Sequence, residues 1–383
     1  MADEAVDLAE LTPVVRRLLG DATAEVTDAS RDALGWLNIM DAELHRIRGT
    51  ARTSDSRLVS WSLVAKTFAP PASDATATDP VAWDFWKREI NAYASGALDD
   101  LPGKLSAPRF GGVVERPDGS LWLCLEEIAD AVRGPWSLER FEDVARRVGA
   151  FNGAYLEGRP VPDVEGLGAG GLRSWVGLGA ELLEGPGAAT IHGPLAVAAT
   201  PSSQALARLA ANRGRMLAAL DGLPQTFVHR DVTPVNVLVR GGQAGRDSYV
   251  VLDWALAGLG AMGEDAAGIV GATLWQLLVD PTEAVALEEH VLRGYLAGLH
   301  EAGWRGDEAD ARFGYVATLA LRFGPLTAWW ADELDRPDRA DWFERKFSRQ
   351  PRRIAEAWGR FQEFTLGRAD EARRLADHVI RTW

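Results

Sequence analysis

The stretch 226–254, TFVHRDVTPVNVLVRGGQAGRDSYVVLDW, constrains this chain more than any other part of it. Two apolar runs, 236–240 and 249–254, flank the polar loop GGQAGRDS at 241–248, a pattern that reads as an antiparallel hairpin. In a regular ladder Arg240 faces Tyr249, and Asn236 then faces Asp253 at the open end, with Cα atoms roughly 4.5–5.5 Å apart. Asp231 lies on the loop leading into the hairpin, braced by Pro234. Two carboxylates and an amide therefore converge on one spot. Such hard oxygen donors suit Mg²⁺, which takes one or two protein ligands and completes its shell with phosphate oxygens and water.

A second constraint lies upstream. The chain has only four lysines, at 66, 87, 104 and 346, against 37 arginines, so a lysine inside an apolar strand is unusual here. SLVAKTF puts Lys66 in such a strand, where an unpaired ammonium would be costly to bury. WKREINAY offers a partner, Glu89, on the inward side of a helix running on from Asp79-Pro80, between Trp86 and Ile90 and Tyr93. That helix is read as one long element crossing a small antiparallel sheet. The sheet is formed by strands at 43–52 and 57–68 and by a pair at 110–115 and 121–125 around the turn RPDG. A short helix within 1–21 precedes them, with Leu11, Val15 and Leu18 at helical spacing. From about residue 129 the chain turns mainly helical. Residues 158–201, rich in Gly, Pro and Ala, read as irregular with helix only around 175–183. A further helix runs from 202–203 to about 220, and 265–383 is helical with tryptophans at 275, 304, 329, 330, 342 and 358.

HRDVTPVNVLV followed by VVLDW resembles the catalytic loop and metal hairpin of the protein-kinase-like superfamily, and is most similar to its aminoglycoside phosphotransferase branch of small-molecule kinases. The resemblance spans about residues 40–270. It implies an α+β, two-lobed kinase-like fold, with a nucleotide-binding lobe at 1–128, a catalytic and substrate-binding lobe at 129–383, and ATP between them. It implies that Asp231 orients an acceptor hydroxyl and takes its proton, that Asn236 and Asp253 hold Mg²⁺, and that Lys66, paired with Glu89, meets the α- and β-phosphates. His229 would brace the loop, and Asp265 in GEDAAG would cap a helix and brace the same loop. The adenine-binding hinge falls at about Glu126–Ile128, by position after the strand at 121–125.

The pattern departs from that superfamily in one respect. No Gly-x-Gly-x-x-Gly loop exists; the first hairpin offers Gly49 with Thr50, Thr53, Ser54 and Ser56. A protein substrate is disfavoured, because position 233 is Thr rather than Lys, Trp-Ala follows Asp253, and no Ala-Pro-Glu occurs downstream. Arg230 then reads as a surface or structural arginine rather than the receiver of a phosphorylated loop.

Bulk properties agree with a small-molecule enzyme. A formal net charge of −14 disfavours nucleic acid and anionic membranes as partners. No apolar run approaches the ~18 residues of a membrane span, and MADEAVDLAE lacks a signal-peptide pattern, so the expected setting is cytoplasmic. One cysteine, Cys124, excludes an internal disulfide. The resemblance implies as partner a hydroxylated small molecule, an aminoglycoside or another hydroxylated antibiotic, with a sugar or amino alcohol as alternatives. A catalytically inactive nucleotide-binding regulatory protein is the other alternative, disfavoured because Lys66, Glu89, Asp231, Asn236 and Asp253 are all present; the sequence sets no oligomeric state. Trp329 and Trp330, followed by Asp332, Glu333 and Asp335, form the one cluster that could meet a cationic aminosugar, although a solvated helix face is the favoured account of it.

Overall fold

The computed structural model describes residues 7–34, 43–71, 76–130, 134–184, 193–241 and 248–382. It begins with helix α1 (Leu8–Leu19), whose Asp7 cap accepts the Ala9 amide at 2.8 Å. Residues 1–6 of the expected helix lie outside the described residues. A five-stranded antiparallel sheet follows, in the order β1-β2-β3-β6-β5. Its strands are β1 (Glu25–Leu34), β2 (Leu44–Arg52), β3 (Leu58–Phe68), β5 (Phe110–Glu115) and β6 (Leu121–Glu126). Four of them match the strands read from sequence; β1 does not appear there. Its sequence, EVTDASRDAL, is a charged edge strand with no buried residue, so neither strand propensity nor an apolar alternation marks it. It is held by its pairing with β2, where Gly49 faces Ala29 and comes so near the backbone that an added Cβ would stand 2.0 Å from the Asp28 carbonyl oxygen. Leu11, Val14, Val15 and Leu18 of α1 pack with Ile47, Leu63, Ala65 and Cys124 into a core on one face of this sheet.

The long helix expected from Asp79 is contradicted: α2 spans only Arg88–Ala94. Asp79 caps a turn instead, accepting the Val81 amide at 2.9 Å. The Arg88 guanidinium explains the interruption. It binds the carbonyls of Ala82 and Trp83, which a helix would have used internally, and reaches Gly166 O at 2.6 Å and Ala255 O at 2.9 Å. The Arg88 side chain thus ties this segment to the second half of the chain.

That half is helical: α3 (Leu138–Leu156), α4 (Gly171–Glu184), α5 (Pro194–Ala199), α6 (Ser203–Gly222), α7 (Glu264–Trp275), α8 (Ala284–Glu301), α9 (Glu308–Phe323), α10 (Leu326–Leu334), α11 (Ala340–Phe347) and α12 (Pro351–Thr382). Residues 158–201 hold more helix than their composition indicates, and 185–192 lie outside the described residues. Helices α3 and α8 approach through glycines: a Cβ on Gly149 would stand 2.1 Å from Tyr295 O, and one on Gly298 2.0 Å from Arg146 O. That contact brings Asn152 and Tyr295 together beneath the site. Two short ladders complete the structure, β7 (Gln225–Val228) with β10 (Gly258–Ala261), and β8 (Val237–Arg240) with β9 (Ser248–Val251) and a short parallel β4 (Leu105–Ser106). A small antiparallel sheet with a mainly helical second part is the α+β, two-lobed architecture expected from sequence.

Candidate active site

The hairpin forms with its register one residue away from that expected. Arg240 pairs with Ser248 and Val237 with Val251, so Leu252 stands opposite Asn236 and donates its amide to Asn236 O at 2.8 Å. Asn236 and Asp253 are therefore not cross-strand partners. The strand begins one residue earlier than read, because Ser248 joins the ladder instead of ending the loop; loop residues 242–247 lie outside the described residues. This register sets buried Val237 and Val239 against buried Val251 and Tyr249, one apolar face to the core. Asp253 reaches the site by another route. Its backbone turns left-handed, φ 59° and ψ 70°, a conformation unusual for a non-glycine residue and frequent at functional sites.

Turned in this way, Asp253 Oδ1 accepts from Lys66 Nζ at 2.8 Å. The same ammonium donates to Glu89 Oε2 at 2.7 Å, and Glu89 Oε1 takes the Trp254 amide at 3.2 Å. Burial alone would draw Lys66 down, but Asp253 and Glu89 more than offset it and the pKa is raised. Burial pushes Glu89 up more than Lys66 holds it down, whereas Lys66 holds Asp253 below its ordinary value against the same burial.

The second group hangs on residues 229–236. Asn236 Nδ2 donates to Asp231 O at 3.0 Å and to Asp231 Oδ2 at 2.8 Å. The Asp231 amide donates to His229 Nδ1 at 3.1 Å; the imidazole therefore carries its proton on Nε2, which donates to Leu252 O at 2.9 Å. Burial pushes Asp231 up to about 6, opposed by the Arg322 charge, and draws His229 down to about 4. Trp254, fully buried beside Asp253, meets the His229 ring edge-on with centroids 4.6 Å apart.

Beneath the loop lies Asp265. Its carboxylate accepts the His229 amide at 2.9 Å, the Arg230 amide at 2.6 Å and Asn152 Nδ2 at 2.9 Å. It braces the loop as expected, but it does not cap α7, which starts at Glu264 after Gly263. Arg230 is buried and not on the surface, its Nε bonded to Glu264 Oε2 at 2.7 Å. Asn152, Tyr295, Glu264 and Arg322 were not singled out from sequence. Asn152, Tyr295 and Arg322 are each an isolated polar residue in an amphipathic or apolar helix, marked only by the missing apolar side chain at a buried position, whereas Glu264 stands beside Asp265 in GEDAAG.

The proposed hinge follows β6. Glu126 is not a free carboxylate: Arg240 Nη2 lies 3.0 Å from its Oε2, and the Arg109 amide donates to it at 3.2 Å. Glu127 pairs with Arg46 Nε at 2.6 Å. With both carboxylates engaged, what residues 126–128 keep for a ligand is backbone and the Ile128 side chain. At the β2–β3 turn the Ser54 amide already donates to Asp21 at 2.9 Å, and this bond chiefly holds Asp21 down at about 2. The acidic cluster after Trp330 is also engaged: Asp335 accepts the Ala196 and Leu195 amides at 2.8 and 3.2 Å, and Glu333 pairs with Arg336 and Arg339.

The oxygen donors fit a magnesium ion. Asn236 spends its NH₂ on Asp231, which leaves its amide oxygen, and Asp253 spends one oxygen on Lys66, which leaves the other. Among the described residues no set of three or more His, Cys, Asp or Glu could hold a metal.

Residues 188–309, about a third of the chain, match the phosphotransferase enzyme family. No curated protein matches the chain. Among solved structures it is similar to the aminoglycoside phosphotransferase APH(3'')-Id from Streptomyces rimosus, at 19% identity and a TM-score of 0.43, covering 84% of this chain and 99% of that one. It is also similar to the amicoumacin kinase hAmiN, solved with AMP-PNP and Ca²⁺, at 12% identity and a TM-score of 0.48, covering 85% and 88%. An ethanolamine kinase from Plasmodium vivax matches at 11% identity and a TM-score of 0.42, covering 88% and 85%.

Proposed function

We propose that this chain, which matches the phosphotransferase enzyme family over residues 188–309, is a small-molecule kinase that transfers the γ-phosphate of ATP to a hydroxyl of its substrate. One observation carries the reading. Lys66, Glu89, Asp253, Asp231 and Asn236 come from widely separated parts of the chain and meet in two linked hydrogen-bonded groups, joined through the His229–Leu252 bond.

In this reading Asp231 accepts a hydrogen bond from the acceptor hydroxyl, aligns its oxygen with the γ-phosphorus and receives its proton as the new bond forms. Asn236 holds the Asp231 carboxylate in one rotamer, so the base is aimed before substrate arrives. Lys66, kept charged by its two carboxylates, meets the α- and β-phosphates, and Glu89 fixes where the ammonium points. Asn236 and Asp253 would hold Mg²⁺, which neutralises charge on the phosphates when bound. Backbone of residues 126–128 would receive the adenine. The division at 128/129 into a nucleotide lobe and a catalytic lobe belongs to the same reading.

For the acceptor we infer a hydroxylated antibiotic, aminoglycosides included, with sugars and amino alcohols as the second group. The engagement of Asp335 and Glu333 within the protein argues against that cluster as an aminosugar contact. Among the described residues no helix is long and apolar enough to cross a membrane. A cytoplasmic setting, where ATP is available, goes with the reading.

The test is ADP release with Mg·ATP across aminoglycosides, other hydroxylated antibiotics, sugars and amino alcohols, with Asp231→Asn as control. Turnover with one class, reduced ~10²–10⁴-fold in the variant while Mg·ATP still binds, is the expected result. A protein that binds no ATP would sink the proposal.

A further inference from the structure

Arg322 is a buried guanidinium that the proposed chemistry leaves without a task. It sits in the last turn of α9 with 7% of its surface exposed, and among the described residues no carboxylate lies within 4.0 Å of it. A buried cation normally has an ion partner, because desolvation otherwise goes uncompensated. What Arg322 touches instead is one backbone oxygen and two rings, with the Asp231, Glu264 and Asp265 carboxylates attracting it from farther away. Its Nη1 donates to Arg230 O, and its guanidinium carbon lies 5.6 Å from the Trp175 ring and 4.9 Å from that of Phe323. Trp175 returns a bond, its Nε1 donating to Arg322 O at 3.2 Å.

The carbonyl it binds belongs to the peptide group joining Arg230 to Asp231. The N–H of that same group donates to His229 Nδ1. Arg230 itself is left-handed, φ 69°, so this turn is unfavourable for a residue with a side chain and must be held from outside. Helix α7 closes the other side: a Cβ on Gly268 would stand 2.6 Å from Arg230 O. The charges that act on the Asp231 carboxylate are Arg322 from α9, Lys66 from β3 and Asp253 after β9, with Asn236 as its hydrogen-bond donor. The Arg230 guanidinium is turned away to Glu264. Arg322 is the cation in this set that also grips the loop backbone.

We propose that Arg322 is a positioning residue: from α9 it locks the Arg230–Asp231 peptide in its left-handed turn and so aims the Asp231 carboxylate at the acceptor. This rests on the phosphotransferase reading for what Asp231 does, but not for whether the loop is held. A methionine would fill the same volume against Trp175 and Phe323 without the grip, and a lysine would keep the charge with fewer donors.

Hydrogen exchange on the full chain, comparing wild type, Arg322→Lys and Arg322→Met, decides it. Peptides covering 227–236 should exchange ~10-fold faster in Arg322→Met and by less in Arg322→Lys, with peptides of α8 unchanged. With an acceptor that turns over, Arg322→Met should lower kcat ~10-fold or more while the KM for ATP stays within about twofold, and Arg322→Lys should recover part of the loss. Loop exchange equal to wild type, or acceleration shared equally by every segment, would overturn the proposal. If Arg322→Met does not fold, Arg322→Lys alone decides by the same comparison of loop and α8. Absence of ADP release from wild type would count against the phosphotransferase reading and leave the exchange result to stand for or against Arg322.

Discussion

Lys66 Nζ bridges two carboxylates, 2.7 Å from Glu89 Oε2 and 2.8 Å from Asp253 Oδ1, in a setting where the ammonium is nearly out of water. The ammonium compensates both, so removing it leaves buried Glu89 and half-buried Asp253 as unpaired negative charges that repel each other. Lys66→Met should cost about 3–5 kcal/mol in urea unfolding at pH 8 and abolish Mg·ATP binding in calorimetry. The sign of its pH dependence follows from Glu89, which burial already pushes up. With Lys66 gone Glu89 takes a proton in the folded state, so the variant is most stable at acid pH and loses stability as pH rises. An unfolding midpoint for Lys66→Met that rises with pH between 5 and 8 would contradict this account.

His229 makes the opposite statement about pH. Its imidazole is neutral in the fold, with its pKa drawn down to about 4, while the unfolded chain protonates near the ordinary 6.5. The unfolded state therefore binds the extra proton between those values, and the stability His229 contributes is lost as pH falls through that window. Against a His229→Gln variant, wild type should gain ~3 kcal/mol of relative stability from pH 4 to pH 7. Parallel stability curves would show that the histidine titrates alike in the folded and unfolded chain.

Asp265 collects three donors, two of them amides at the start of the catalytic loop. Asparagine there keeps the shape but turns an NH₂ toward donors, which leaves at least one buried group unpaired. Asp265→Asn should lose roughly 3 kcal/mol of stability and most of the turnover, with the KM for ATP little changed. Full activity in the variant would mean the loop holds its shape without this brace.

Asp335 caps α5 through the amides of Leu195 and Ala196. Asp335→Ala should cost ~1 kcal/mol in thermal or chemical unfolding and leave the KM for a cationic acceptor unaltered. A KM that rose tenfold for aminosugars alone would return this residue to the acceptor site.

Much of this could be read without coordinates, because local rules carry it. The strands β2, β3, β5 and β6 announce themselves by β-branched and aromatic residues around turn sequences, and α6 by its position after a Pro/Gly-rich stretch. Lys66 stood out because lysine is rare in this chain and rarer in an apolar strand. What failed were readings that needed partners far away. β1 is polar and exists because β2 pairs with it. The helix from Asp79 is broken because Arg88 claims its carbonyls.

The sequence by itself determined that Asp231 and Asn236 would share one loop, where Asn236 Nδ2 bonds Asp231 Oδ2, with Asp253 just past the end of the strand that pairs back. Only the tertiary structure decided how Asp253 reaches the site. The ladder is offset by one residue, which by strand periodicity places Leu252 opposite Asn236, and a left-handed turn at Asp253 restores the carboxylate to Lys66. It also decided what holds the loop: Asn152 from α3, Asp265 from α7 and Arg322 from α9 act on the backbone of residues 227–231. Those contacts join residues 35 to 92 positions apart in the chain, and no local pattern records them because burial and pairing exist only once the helices have packed.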